Sequence, residues 1–591
     1  MHNKEWIVRK KMKKMEFVKR GTIILGVNGW REYGHDASAT LIEVTPHSCK
    51  LLGALEEEKV SRNKCAYDTL PVESINYLLN MFQLNVNDID HIAFGWNYPQ
   101  LYEQIGKEFL YQDNIKLLKE LFPNAHIQRE IPISFIDHHL AHAACSYRTS
   151  SFRESLIFVF DGQGEKESSS IWIGQSDQIK LLEKIGVKES LGYLYEAVNK
   201  ILNFQNHESG KTMGLASYGK PRYFEDFKRC FNFKDGKISL NKNMNHIYEI
   251  VNRFSKKDTI NHHATIIAMW EYFITENLGI KLLSKKSTSF YDIDDIYKDL
   301  AASVQALLES IAIKIVNWFV KKKGISEICM SGGVALNCIM NGKILQQEKI
   351  RDIFINPAAN DAGVSLGAAL ELAYELGFKS RLEESHFDPF IGIEFTNEEI
   401  IQAIDVKGLK YTVVDSAEKQ ISELIANGKV VAVFQGRNEW GPRALGNRSI
   451  LSSARERDRL DYINSVIKER ELGRPLGPSL LIQDSNELLL EEKSLGNYMN
   501  VAYRAKKNLN LYPAVIHVDH TFRPEFVNKR LNENYYKQLW AIKNKTGSSL
   551  VINTSFNLKT PIIFHIEDAI EYFIRSAIDA LVFNNQIVLI K

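Results

Sequence analysis

The segment from Ile131 to Glu165 allows few folds. Its apolar lead-in, Ile131 to Ile136, reads as a buried strand. His138, His139 and His142 follow among small and apolar residues, the pattern of a helix packed closely on that strand. A second apolar run, Ser155 to Phe160, reads as another strand and ends in Asp161-Gly162-Gln163-Gly164-Glu165. Strand, helix and strand in succession point to an α/β fold. Helix positions i and i+4 share a face, so His138 and His142 can grip one metal ion. Asp161 adds a carboxylate at a strand end, beside a glycine turn. Two imidazoles and a carboxylate suit iron, manganese or zinc, with positions left open for substrate. The same histidines also fit a plain core or helix-capping role.

At 591 residues the chain exceeds what one hydrophobic core organises, so at least two domains are expected. Apolar residues make up 45% and charged residues 25%, the balance of a globular protein. A net charge of +2 gives no chain-wide attraction to nucleic acid or membrane. Residues 1–20 are rich in Lys and Arg, lack an apolar core of signal-peptide length, and are expected to be a flexible extension, with an alternative start near Met15 conceivable. No later window has the apolar length of a membrane span. The six cysteines are scattered without a CxxC pair, which argues against a disulfide framework and for a reducing cytoplasm.

Thr22 to Gly29 reads as a buried strand opening into a glycine turn, and further strands are expected at 51–55, 91–95 and 156–161. The first strand ends Val-Asn-Gly and the Leu156 strand ends Phe-Asp-Gly, an echo of two duplicated halves such as the actin-like ATPases have. Apolar residues at three- and four-residue steps predict a long helix from about Ile293 to Lys323, stopping at Gly324. The charged stretch from about Gly377 to Asp405 reads as irregular linker. A second domain starts near Tyr411.

Ser331-Gly332-Gly333 ends a short strand before a helix, where backbone amides can approach a phosphate; Asn337, one turn in, can bond a ribose or base. Many such glycine pairs are plain turns. Asp361, in another glycine-bounded turn, is a further candidate ligand. A third glycine-rich segment carries Lys211 and Lys220 without Walker A spacing. His35 and Asp36 lie just past the first strand. His35 can take a proton from an attacking hydroxyl, or the two can simply cap a turn. In the second domain, Arg437, Arg443, Arg448, Lys468, Arg470, Arg474 and Arg523 sit among Gly and Pro, near Asn553 and Ser555. Guanidinium forks and lysines there suit phosphate oxygens; surface charge is the plainer alternative.

Taken in order, HDAS (35–38), EEEKVSR (56–62), DHHLAHAACS (137–146), DGQGE (161–165), GKTMGLASYGKP (210–221), SGGVALN (331–337), GPRALGNRS (441–449), RPLGPS (474–479), HVD (517–519) and NTSFN (553–557) resemble the O-carbamoyltransferases of the NodU and antibiotic-tailoring family. The resemblance runs from about residue 22 to 590. It implies a duplicated actin-like domain over 21–380, similar to the threonylcarbamoyl-transferase subunit, a linker over 381–408, and an α/β YrdC-like domain over 409–591. It further implies metal ligands at His138, His142, Asp161 and Asp361, and a base at His35 with Asp36 beside it. Nucleotide contacts are implied at Gly162, Gly164, Lys211, Gly332, Gly333 and Asn337. Lys468, Arg474, Arg523, Asn553 and Ser555, with Arg443 nearby, become the carbamoyl-phosphate pocket. Departures are Leu558-Lys559-Thr560 after NTSFN, His520 after HVD, and Leu476-Gly477 where Phe-Ala is common; they bear on loop geometry and phosphate donor.

The expected activity is transfer of a carbamoyl group, made into carbamoyl-adenylate from ATP and carbamoyl phosphate, to a hydroxyl of an antibiotic, sugar or similar metabolite. Fe2+ leads the expected metals, ahead of Mn2+, Zn2+ and Mg2+, with Mg2+ accompanying ATP. Partners are small molecules, not nucleic acid or membrane, in a cytoplasmic protein; a homodimer is expected on general grounds. The alternatives are a tRNA threonylcarbamoyladenosine-type enzyme and a non-enzymatic nucleotide-binding regulator.

Overall fold

The computed structural model describes residues 19, 21–32, 34–111, 113–254, 263–382, 386–490, 493, 496 and 498–591. The expected basic extension, apart from Lys19, lies outside the described residues, as do 383–385 of the expected linker.

Two five-stranded sheets organise the first part. One holds β1 (Thr22–Asn28), β2 (Ser38–Val44), β3 (Cys49–Glu56), β4 (His91–Phe94) and β5 (Ile133–Phe135), in the order β3-β2-β1-β4-β5. The other holds β6 (Glu154–Phe160), β7 (Glu167–Gln175), β8 (Gln178–Gly186), β9 (Glu327–Ser331) and β10 (Asp352–Ile355), in the order β8-β7-β6-β9-β10. In each sheet the first three strands form an antiparallel meander, and the last two add parallel to the first. Strand order and direction are therefore the same in both. The Asn28-Gly29 and Asp161-Gly162 pairs lie at the ends of equivalent strands.

Two helices pack on each other between these sheets, α1 (His138–Arg148) against the second and α3 (Val364–Glu375) against the first, while α2 (Asp295–Lys323) packs beside β6. α3 is fully buried over Val364 to Ala373, and its small residues let it pass very close to its neighbours. A Cβ on Gly26 of β1 would meet the Ser365 carbonyl oxygen at 1.9 Å, and one on Gly367 would meet that of Ala141 in α1 at 1.8 Å. Helix, strand and helix are so close that no larger residue fits. The apolar stripe of α2 is buried as its periodicity predicts, and the helix ends at Gly324 in the left-handed region (φ 74°).

The third sheet has eight strands, ordered Thr412–Val413, Ile587–Ile590, Ala580–Phe583, Val431–Phe434, Arg448–Ser452, Val551–Ser555, Gly477–Leu481 and Glu525–Val527. The stretch read as an irregular linker is instead docked structure. Phe387, Phe390, Ile391, Ile393 and Phe395 are buried, and Asn397–Val406 is a helix started by a Thr396–Glu399 capping box. Its charged residues lie among an apolar set that packs inward. Among the described residues, no helix is long and apolar enough to cross a membrane.

Candidate active site and metal centre

His138 and His142 lie one turn apart on α1, and both are fully buried. Asp161 follows β6 and Asp361 opens the turn before α3. One donor atom from each of the four lies within 4.8 Å of all the others. Nε2 of His138 is 3.2 Å from Asp161 and 3.6 Å from Asp361; Nε2 of His142 is 3.6 and 3.4 Å from the same two. Ligands on a tetrahedron with bonds of about 2.1 Å stand roughly 3.4 Å apart, so the spacing suits one ion.

Both histidines are held by their other nitrogens. Nδ1 of His138 donates to the Gly95 carbonyl (3.0 Å), and Nδ1 of His142 to Ser331 Oγ (3.1 Å). That leaves each Nε2 lone pair turned inward, the arrangement a metal ligand needs. Trp96 stacks on His138 with ring centres 3.7 Å apart. Glu165 accepts from the backbone of Asn97 and His138 and so caps α1. Asp161 Oδ1 accepts from Gly333 N–H (2.9 Å).

Burial opposes charge on His138, but the two aspartates outweigh it and hold its pKa well above the ordinary value. Burial likewise opposes charge on Asp161, yet His138 and His142 hold it well below the carboxylate range. Two buried carboxylates thus need a cation beside them. His35 bonds Asp36 (Nδ1–Oδ2 3.3 Å) and reaches Asp361 (3.7 Å). Burial lowers its pKa, but Asp361 and Asp36 raise it to about 9.

At the far end, Lys468 is buried and bonds the carbonyls of Ser555 (2.5 Å) and Asn557 (2.6 Å). Burial, then Arg470, Arg474 and Lys64, push its pKa well down. Burial, with Arg523 beside it, lowers Arg443 to about 9. Among the described residues, no carboxylate pairs with Arg443 or Arg523. Asn553 is also fixed: the two hydrogens of its Nδ2 are shared among the Ala444 carbonyl (3.1 Å), Ser479 Oγ (2.9 Å) and Glu525 (3.0 Å), leaving Oδ1 buried without a donor. One cavity of about 1440 Å³ is lined by His35, Asp36, Asp161 and Asp361 at one end and by Arg443, Lys468, Arg474, Arg523, Asn553 and Ser555 at the other.

Gly162, Gly333, Asn337 and Lys211 also line this cavity. Gly164 and Gly332 do not. Gly164 lies against the ring of His139, and Gly332 (φ +89°) backs onto the Phe160 carbonyl, so both glycines serve tight chain approach. Asn337 caps the helix Cys338–Leu345 and exchanges hydrogen bonds with Gln305. Lys211 is neutralised by Glu208 (2.7 Å) and Glu471 (2.8 Å). His139 bonds Ser170 rather than the metal cluster. Trp96, Glu471 and His207, whose ring lies 4.8 Å from that of His35, reach this cavity only through long-range folding, whereas Glu165 belongs to the local DGQGE segment.

Family comparison decides the chemistry class. Residues 24–370 match the family model "Carbamoyltransferase N-terminus", and 422–590 match "Carbamoyltransferase C-terminus". The chain belongs to the carbamoyltransferase family. Among relatives of this carbamoyltransferase, nodulation protein NolNO of Sinorhizobium fredii is 32% identical over 580 residues, covering 94% of this chain and 79% of the other. Nodulation protein NolO of Bradyrhizobium diazoefficiens is 33% identical over 76% and 77% of the two chains. The 3'-hydroxymethylcephem-O-carbamoyltransferase of Amycolatopsis lactamdurans is 32% identical over 39% and 42%.

Proposed function

We propose that this carbamoyltransferase makes carbamoyl-adenylate from ATP and carbamoyl phosphate at the basic end of the cavity. It then transfers the carbamoyl group to a hydroxyl of a specialised metabolite at the His/Asp end. The supporting observation is one cavity whose lining runs from Asp161 and Asp361 of the four-residue metal-type cluster to Arg443 and Arg523, which pair with no carboxylate among the described residues. On this reading 21–380 is a duplicated actin-like unit, which the repeated strand order supports, and 409–591 a YrdC-like unit.

Arg443, Arg474 and Arg523 offer cationic donors to phosphate oxygens, and Asn553 Oδ1 offers an acceptor; Lys468 lies beside them and holds Ser555 and Asn557 in place. Atom balance requires one water: carbamoyl phosphate gives carbamate and phosphate. A carbamate oxygen then attacks the α-phosphorus of ATP, and pyrophosphate leaves. Carbamoyl-adenylate hydrolyses in open water, so a closed path between the two ends protects it.

His138, His142, Asp161 and Asp361 would hold the metal. The buried Nε2 of His142, without a hydrogen-bond partner and facing both carboxylates, fits that role. A divalent ion there, with Fe2+ favoured over Mn2+, Zn2+ or Mg2+, supplies Lewis acidity toward a carbonyl or phosphoryl oxygen. His35, oriented by Asp36, takes the proton from the acceptor hydroxyl once its own is lost. Free cysteines at all six positions support a reducing, cytoplasmic setting.

Pyrophosphate release from ATP, with and without carbamoyl phosphate at fixed metal, tests the reading. Carbamoyl-phosphate-dependent release is expected. Release with bicarbonate and threonine instead, or none with any candidate alcohol present, overturns it.

A further inference from the structure

The stretch Glu56 to Arg62 enters none of the chemistry above. Yet Lys59 and Glu56 are only 3% and 4% exposed. Lys59 is in the first domain, and everything it donates to beyond Glu56 is in the second. Its Nζ donates to the carbonyls of Glu439 (2.8 Å) and Gly441 (2.9 Å) and pairs with the Glu56 carboxylate. Glu56 in turn accepts from Gly441 N–H (3.1 Å). All three ammonium hydrogens are thereby used, so none is left for substrate.

The loop they grip is closed on itself. Glu439 Oε1 accepts from the backbone N–H groups of Leu445 (3.0 Å), Asn447 (2.8 Å) and Arg448 (2.8 Å). Arg443 rides on this loop and faces the cavity. A buried ion pair is a poor way to gain stability, because desolvation cancels much of the attraction; its better-attested use is to fix a register. Here the fixed register is that of an arginine-bearing loop against the other domain.

We propose that Lys59, with Glu56, is a positioning residue that sets where Arg443 meets a phosphate group, so that the first domain completes the anion site of the second. The inference rests on the basic end being a phosphate site, as proposed above.

The test is a double-mutant cycle on inorganic phosphate binding by the full chain, measured by titration calorimetry. Arg443→Ala and Lys59→Met are each expected to weaken binding about tenfold. The double variant is expected to match Arg443→Ala within about twofold, because Lys59 acts through Arg443. Independent losses multiplying to about a hundredfold overturn the proposal, as does unchanged binding by Lys59→Met. If Lys59→Met does not fold, the same cycle with Glu56→Gln decides on the same criteria. No phosphate binding by the wild type overturns the basic site and this inference together. Phosphate binding without carbamoyl-phosphate-dependent pyrophosphate release sinks only the functional reading.

Discussion

Ser331→Ala probes the metal centre without touching a ligand. Ser331 Oγ accepts from His142 Nδ1 at 3.1 Å, and both residues are fully buried. Removing the hydroxyl leaves the Nδ1 N–H without an acceptor where water does not reach. An orphaned buried donor costs about 1–3 kcal/mol. The cost falls on the state in which Nε2 is held, since the free ring can turn to seek another partner. Divalent-metal affinity is therefore expected to drop roughly 5- to 150-fold, in the range of about 10- to 100-fold found for partners of metal-bound histidines. Competition against a metallochromic chelator gives the affinity, and metal content after gel filtration gives the stoichiometry. Equal affinity in wild type and variant, with the fold intact by circular dichroism, refutes the assignment of His142 as a ligand steered by Ser331.

Three further outcomes are expected. His138→Ala should abolish carbamoyl transfer while carbamoyl-phosphate-dependent pyrophosphate release survives, as read in parallel product and pyrophosphate assays; equal loss of both contradicts the division of labour. Burial raises Glu525 to about 8 from 4.5, so above about pH 4.5 the unfolded chain gives up this proton first and stability falls as pH rises toward 8. Glu525→Gln carries no such proton, so melting curves should show it gaining on wild type between about pH 5 and pH 8; a constant gap sinks the reasoning. Arg148→Met strands the buried Glu371, which Arg148 pairs at 2.7 Å, and should cost about 3–5 kcal/mol. Urea unfolding that shows less than about 1 kcal/mol counts against that pair.

The metal end was legible because its information is local. Two histidines at helical spacing and a carboxylate at a strand end can be read within 30 residues, and Asp361 announces itself by its own turn. The repeat of the two sheets showed only as a shared Asn/Asp-Gly ending, since identical strand order leaves little trace in residue identity. The pairing of Lys211 with Glu471, 260 positions later, is not legible in the local sequence around either residue. Lys59 hid in a charged run for the same reason. The segment from 387 to 406 has the charge content of a linker, yet its apolar residues are buried. A buried strap and a solvated one differ in where the side chains point, which composition does not carry.

The stack of Trp96 on His138 would make an ion held by the His/Asp cluster visible to light. An indole 3.7 Å from an imidazole shares its excited state with that ring. A protonated imidazole withdraws electron density and dims the emission. Ligation at Nε2 bars the proton from that nitrogen. Occupancy of the site would thereby be translated into the brightness and colour of Trp96, a gauge carried by the protein itself and readable without any chemical label.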